Sequence, residues 1–442
     1  MRTLRIGAGA GFGGDRIDPA VALARDGALD VLVFECLAER TIALAQLARL
    51  SEPDRGYDTR LEARLRAVLP HCARNGTRIV SNMGAANPRA AAAQAARIVA
   101  DLGLSLRVAA VLGDDVLDRI GPCVLDDTGA PAAALGDRLV SANAYIGAAG
   151  IVRALEQGAD VVLCGRAADP ALFLGPLIHA FGWAMDDWTR LGRGTLVGHL
   201  LECGAQVTGG YFADPGRKDV PDLARVGYPL AEVTEDGNAV ITKLPGTGGR
   251  VSRATCTEQL LYEIHDPARY LQPDVIADFS GVDFTEIAPD RIAVSGGAGH
   301  PRSGSFKVSV GSRDGWIGQG EMSYAGPGAV ARGRLAAEIV RERLAPLGNG
   351  IEELRCDLIG VDAILPGAPT GEPREVRLRV AARCATRALA EAVADEVEGL
   401  YLCGPAGGGG ATRAVREVIG IRSALMPAGE VPVSVRFAEG TA

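Results

Sequence analysis

No C-x-x-C occurs among the nine cysteines, which stand singly at 36, 72, 123, 164, 203, 256, 356, 384 and 403. That scatter offers no four-cysteine zinc site, and the odd number disfavours a closed disulfide framework. The thiols read as small buried apolar residues. The five histidines, at 71, 179, 199, 265 and 300, are equally dispersed. Positive charge is also short: 46 Lys and Arg face 54 Asp and Glu, a net charge of −8. Phosphate backbones bind basic surfaces, so a nucleic-acid partner is not expected. No apolar run approaches the roughly 20 residues that cross a bilayer, and MRTLRIGAGAGFGG lacks an apolar signal core. The expectation is a soluble cytoplasmic protein with no membrane partner. The 58 glycines follow no G-X-Y period, which excludes collagen, and 48% hydrophobic residues exclude general disorder.

What is present is an alternation of strands and helices. Short apolar runs open at Leu4–Gly7 and recur at Val31–Glu35, Arg78–Ser81, Val108–Leu112 and Val161–Cys164. Near-continuous apolar runs of this length suit buried parallel strands. Helical stretches such as Glu39–Leu50 and Arg89–Asp101 lie between them. The spacing predicts an α/β fold with a mostly parallel sheet flanked by helices over residues 1–210. From 211 to 442 the pattern shifts to an α+β domain with antiparallel hairpins, turning at Glu235–Asn238 and at Ser312–Gly315. Helices are expected there at Thr255–Ile264, Ala329–Leu344 and Ala385–Glu398. The stretch GGYFADPGRKDVPD marks the boundary.

One pattern recurs in the first half. A strand runs into a small-residue loop, then Asp or Asn, then Pro19, Pro88 or Pro170. Asp18, Asn87 and Asp169 suit helix N-caps, and proline suits the first helical turn. Three such starts would gather at the carboxyl edge of one sheet, where open α/β sheets bind ligands.

The candidate chemistry follows from these loops. Gly9, Gly11 and Gly13 lie in a G-x-G-x-x-G string, with Asp15 and Arg16 at its mouth. The helix begins several residues beyond the glycines, unlike a dinucleotide fingerprint, so the loop is read as a cradle for a phosphate or carboxylate. Glu35 ends the second strand beside Cys36, Glu39 and Arg40 and suits a general base. Asp114 and Asp115 end the fourth strand, ahead of a short helix over 116–120, and suit acid/base work or a divalent cation. Asn82 and Asn87 could orient a carbonyl, and Arg166 could hold an anion. His199, Glu202 and Cys203 share a helix face, as a base pair or metal half-site would, or as a satisfied buried histidine. In the second half, Gly248 and Gly249 precede a capped helix next to Arg250, and Gly408 and Gly409 follow LYLC, read as a buried strand. They are candidate binding loops. Gly296–His300 is a further small-residue loop with one acid/base group.

Several long strings carry a resemblance: GAGAGFGGDRIDPAVALA, LVFECLAERTIALAQ, GYDTRLEARLRAVLP, RIVSNMGAANPRAAA, GHLLECGAQVTGGYF, KLPGTGGRVSRATCTEQLLYEIHDPARY and GPAGGGG. Along almost its whole length the chain resembles the acyclic terpene utilisation family. The founding members are linked with breakdown of citronellol- and geraniol-type compounds through branched acyl-CoA intermediates. Many relatives carry an extra C-terminal domain of roughly a hundred residues. This sequence ends at Ala442, and that extra domain is not expected in it.

Together these readings give an enzyme of branched or terpenoid acid metabolism, acting on a small-molecule substrate, a CoA ester, by carboxylate acid/base chemistry. The reaction class is hydratase- or lyase-like: hydration, isomerisation or C–C cleavage. An apolar slot of Phe12, Phe173 and Trp183 would hold the branched chain. No metal and no organic cofactor are expected, and a homo-oligomer is. The alternative is a non-catalytic accessory subunit, for instance of an acyl-CoA carboxylase. A zinc hydrolase using His199 and Cys203 is a minor one.

Overall fold

A computed structural model of the chain describes residues 2–365, 371 and 373–439. The expected strands form where the apolar runs lie: β1 (Thr3–Ala10), β2 (Val31–Phe34), β3 (Arg78–Ser81), β4 (Val108–Leu112), β5 (Leu139–Ala144) and β6 (Val161–Cys164). Then come β7 (Pro229–Thr234), β8 (Ala239–Lys243), β9 (Tyr270–Leu271), β10 (Ile276–Asp278), β11 (Asp283–Ala288), β12 (Arg291–Ser295), β13 (Ala298–His300), β14 (Ser305–Ala325), β15 (Ile351–Ile359), β16 (Glu375–Cys384), β17 (Gly409–Pro427) and β18 (Ser434–Phe437). The helices are α1 (Asp18–Asp26), α2 (Glu39–Ser51), α3 (Leu61–Asn75), α4 (Pro88–Asp101), α5 (Ala149–Glu156), α6 (Ala171–Phe181), α7 (Trp188–Glu202), α8 (Arg253–Leu261), α9 (Ala329–Leu344), α10 (Arg387–Glu398) and α11 (Leu400–Cys403).

The chain divides into two compact units, Met1–Gly311 with Ile421–Ala442, and Ser312–Gly420. The first is built on a ten-stranded sheet in the order β11-β12-β8-β7-β1-β2-β3-β6-β4-β18. Its centre is parallel: β1 with β2, β2 with β3, β3 with β6 and β6 with β4. The boundary expected near residue 210 does not coincide with this division. The β7–β8 hairpin turns at Glu235–Asn238 as expected, but β7 then pairs antiparallel with β1, so this segment extends the N-terminal sheet. Two cores cover the faces of the sheet. One gathers Ile6, Val33, Val80, Val162, Phe173 and Leu200, the other Leu32, Phe34, Leu65, Ile79, Ile98 and Leu163. Alternate residues of β2, β3 and β6 thus fall on opposite faces, as the pleat requires.

The second unit is a β-α-β-β-α-β arrangement, β14-α9-β15-β16-α10-β17, with sheet order β15-β16-β14-β17. This is the split βαβ topology. Met322, Tyr324, Leu378 and Val380 face Val340 on α9 and Val393 on α10. The turn expected at Ser312–Gly315 does not form. β14 runs through it, and beyond it Trp316 to Ala325 pair in register with Cys384 to Glu375 of β16. LYLC is the short helix α11 rather than a strand, with Leu402 96% exposed.

Of the three expected N-caps only Asn87 performs that role, accepting the Ala90 N–H at 3.3 Å. Asp18 is already inside α1, and α6 begins after Pro170. Both aspartates pair instead with the arginine two or three residues before them, Arg16 and Arg166. The three loops do leave the same carboxyl edge, after β1, β3 and β6. No helix among the described residues is long and apolar enough to cross a membrane.

Candidate functional site

Glu35 follows β2, in the middle of the parallel part of the sheet. It is 8% exposed. Both hydrogen bonds it accepts fall on Oε1: one from the Leu37 N–H at 2.8 Å, one from Asn82 Nδ2 at 2.8 Å. Asn82 follows β3 and also accepts the Cys36 N–H at 2.7 Å, so one buried amide orients the whole turn after β2. Burial pushes the Glu35 carboxyl up to about 7, with the Glu202 charge adding to the rise. Arg166, the Leu37 N–H and Asn82 oppose it.

Arg166 leaves β6 two residues after its end and is 1% exposed. Its guanidinium donates to the carbonyls of Leu37 and Ala167 and to Asp169. It also stacks 4.4 Å from the Tyr145 ring centroid. A buried cation is tolerable only with such partners. Lys307 lies 4.8 Å from the same ring. Glu39 accepts from both the Tyr145 hydroxyl and Lys307. Its own burial favours the neutral form, but these donors and Arg166 outweigh it and hold Glu39 at about 2.

Asp114 follows β4 and lies 3% exposed. Its Oδ2 accepts Asn143 Nδ2 at 3.0 Å and the Arg166 N–H at 2.8 Å. The carboxyl abuts Gly165, where an added Cβ would fall 2.4 Å from it, so only glycine fits. Burial lifts Asp114 to about 6. Asp115 points away, exposed and paired with Arg49 at 3.2 Å. The two acids therefore do not act as a pair, and residues 116–120 form no helix.

Glu35, Asn82, Arg166 and Asp114 thus share one sheet edge. The other candidates have different occupations. A Cβ on Gly9 would strike the Phe34 ring at 2.6 Å, and one on Gly11 the Cys203 backbone at 2.3 Å. These glycines have a packing reason. Asp15 Oδ2 holds the Gly11 N–H at 2.6 Å, and the fully buried Arg64 donates to the Gly13 carbonyl at 2.8 Å. Asn87 Nδ2 donates to the carbonyls of Pro53 and Arg55. The amides of Gly248 and Gly249 are spent on the carbonyls of Arg225 and Pro221. A cavity of about 220 Å³ does lie between that loop and α1, lined by Pro19, Leu23, Tyr228, Leu244 and Thr247. Gly408 and Gly409 belong to the second unit.

Phe173 and Trp183 are core residues, while Phe12 is 60% exposed. The apolar slot expected of these three is not formed by them. Burial pushes the Cys36 and Cys203 thiols up, away from the reactive thiolate. His199 is buried with Nδ1 3.0 Å from Glu202 and Nε2 3.1 Å from the Leu260 carbonyl. Among the described residues no group of three or more His, Cys, Asp or Glu side chains could hold a metal ion.

Tyr145, Lys307 and Arg64 were not singled out from the sequence. Tyr145 and Lys307 come from segments 162 residues apart, brought together by the Tyr145 N–H bond to the Lys307 carbonyl, at 2.8 Å, and by the Lys307 ammonium over the Tyr145 ring. Their one local signal is weak: a tyrosine just past a strand.

The family model described as acyclic terpene utilisation family protein AtuA matches residues 4–437. No curated protein and no solved structure matches the chain.

Proposed function

The chain belongs to the acyclic terpene utilisation family, and we propose that it is an enzyme acting on a branched or terpenoid acyl-CoA ester by carboxylate acid/base chemistry. The observation that carries this reading is Glu35. It stands at the carboxyl edge of a parallel sheet, where such sheets bind ligands. With both its bonds on Oε1, Oε2 is the oxygen left for a substrate proton. A carboxyl held at about 7 is matched to proton transfer near neutral pH. A thioester acidifies the carbon next to its carbonyl, which brings that proton within reach of such a base. Glu35 takes the proton, and the positive charge of Arg166 favours both the resulting negative charge and the ionised base. Isomerisation starts with this step. In hydration and in retro-aldol cleavage the same carboxyl takes a proton from the water or from the β-hydroxyl, the thioester enolate forms by addition or by C–C bond breaking, and the protonated acid returns the proton to it.

Thermal melting against free CoA, a branched enoyl-CoA, its free acid, NAD(P) and ATP tests the substrate class. A ligand at a hundred times its Kd adds about 2.7 kcal/mol, a readable shift. The expected result is a selective rise with the CoA ester. With turnover of that ester in hand, Glu35→Gln lowers kcat/KM by about 100-fold or more while the melting shift persists. Full activity in that variant would sink the assignment.

The alternative reading, an accessory subunit, has one observation in its favour. Leu402 and Tyr401 on α11 are 96% and 51% exposed, an apolar pair suited to a partner. Absence of any ligand shift together with a co-purifying acyl-CoA-processing enzyme would select it.

A further inference from the structure

A further cavity, of about 300 Å³, opens at the amino edge of the parallel sheet, opposite the edge that carries Glu35. Its polar lining is Arg2, Asp30, Arg78 and His179, beside the apolar Val31 and Leu155. All of these belong to the first unit. The strand β2 separates Asp30 from Glu35 by roughly 16 Å. The sheet stands between the two places, so they are separate sites.

Arg2 precedes β1 and Arg78 opens β3, the strands on either side of β2. Their guanidiniums converge on successive residues at the end of α6. Arg2 Nη1 donates to the Ala180 carbonyl at 2.7 Å, and Arg78 Nη1 lies 2.9 Å from His179 Nε2. The first contact has an ordinary reading, because a cation offsets the negative end of a helix. The second does not. A guanidinium can only donate, so Nε2 of His179 is bare, the ring is neutral and its hydrogen is on Nδ1. A helix end favours a charged imidazole, yet here a cation faces the ring. Burial and the Arg78 charge, with a smaller part from Arg2, hold His179 below the ordinary imidazole value, while Glu156 at the end of α5 pulls the other way.

No anion answers these groups. Among the described residues neither Arg2 nor Arg78 is in an ion pair. Each makes one side-chain hydrogen bond, which leaves most of the five N–H groups of each guanidinium for another acceptor. Asp30 lines the same cavity, but its Oδ2 accepts the Arg5 N–H at 2.7 Å and it pairs with neither guanidinium. An oxyanion placed between the arginines would supply the missing acceptor. It would also let His179 charge, with the ring and Arg78 both donating to the anion rather than one to the other.

We infer that this cavity is a binding site for a small oxyanion, the phosphate or carboxylate group of a metabolite, held by Arg2 and Arg78 with His179 taking a proton from solvent to become the third donor. Guanidinium forks match either oxyanion in a bidentate way. The cavity is at the small end of the range for small-molecule sites, which suits such a group on a small body. The inference is independent of the reading of Glu35.

The test is NMR of the imidazole nitrogens in the full chain, titrated between about pH 5 and 8 with sulfate or acetate against chloride at constant ionic strength. Sulfate stands in for a phosphate group and keeps its charge over this range. The His179 signal is the one missing from His179→Gln. The expected result is saturable binding that raises the His179 midpoint by about one pH unit, so that by linkage the anion binds about tenfold tighter to the protonated site. The tighter binder names the class: sulfate a phosphate ester, acetate a carboxylate. Arg78→Gln should raise the anion-free midpoint and weaken binding by about tenfold or more. No saturable response at His179 with either anion would overturn the inference, as would equal binding by Arg78→Gln. Should that variant not fold, Arg2→Gln, at an exposed position, carries the same expectation for binding. The activity of Glu35→Gln bears on none of these results.

Discussion

The two units handle charge in opposite ways. In the first, the edge of the parallel sheet buries Glu35, Asp114 and Arg166 at 8%, 3% and 1% exposure. In the second, the strands carry a lattice of half-exposed ion pairs. Arg377 meets Glu321, Arg379 and Arg355 meet Asp357, and Arg383 meets Asp314 and Glu352. Opposite charges on neighbouring antiparallel strands match each other at little cost. The buried group has no such economy: Glu35 and Asp114 take their bonds from amides, and burial lifts both. Charge retained against a desolvation penalty marks a site, whereas charge that is mutually satisfied marks a solvated face.

Removing one charge from each region should give very different costs. Arg166→Met strips partners from the Leu37 and Ala167 carbonyls and leaves Asp169 and Glu35 without their cation. We expect a loss of about 3–5 kcal/mol in chemical denaturation at pH 7. A loss under 1 kcal/mol would show that this arginine is no more committed than those of the second unit.

Glu35→Gln sharpens the comparison through pH. The folded-state carboxyl lies at about 7, above its ordinary value, so folding favours the protonated form. Its contribution to stability is fully present below the unfolded value near 4.5 and is lost as pH rises through 7. The amide should remove that loss, making the variant more stable than wild type at pH 8 by on the order of 2 kcal/mol, with little difference at pH 4.5. Parallel melting curves across this range would contradict the burial argument. The smallest effect is expected in the second unit. Arg377→Gln breaks a partly exposed pair with Glu321 and should cost about 0–1 kcal/mol. A larger loss would mean that the lattice stabilises its sheet cooperatively.

Much of this was legible locally. The five apolar runs became β1, β2, β3, β4 and β6, and Ala329–Leu344 became α9 with the expected ends. Glu35, Asn82, Arg166 and Asp114 were legible as polar residues at strand ends, because the pleat and the βα order put such positions on one edge. The misreadings have a common cause. Ser312–Gly315 carries turn chemistry, yet β14 continues through it as one strand into the stretch that pairs with β16. Asp18 and Asp169 suit capping, yet nearby arginines take them. Gly11 suits an anion cradle, yet the Asp15 carboxylate takes its N–H.

The sequence by itself determined the strand and helix alternation, the family, and which acids end which strands, since these depend on near neighbours and periodicity. Only the tertiary structure decided that β7 rejoins β1, that Asp114 and Asp115 part company, and that Glu35 meets Asn82. Desolvation and hydrogen-bond supply come from residues distant in the chain, and those alone turn an ordinary carboxyl into one held at about 7.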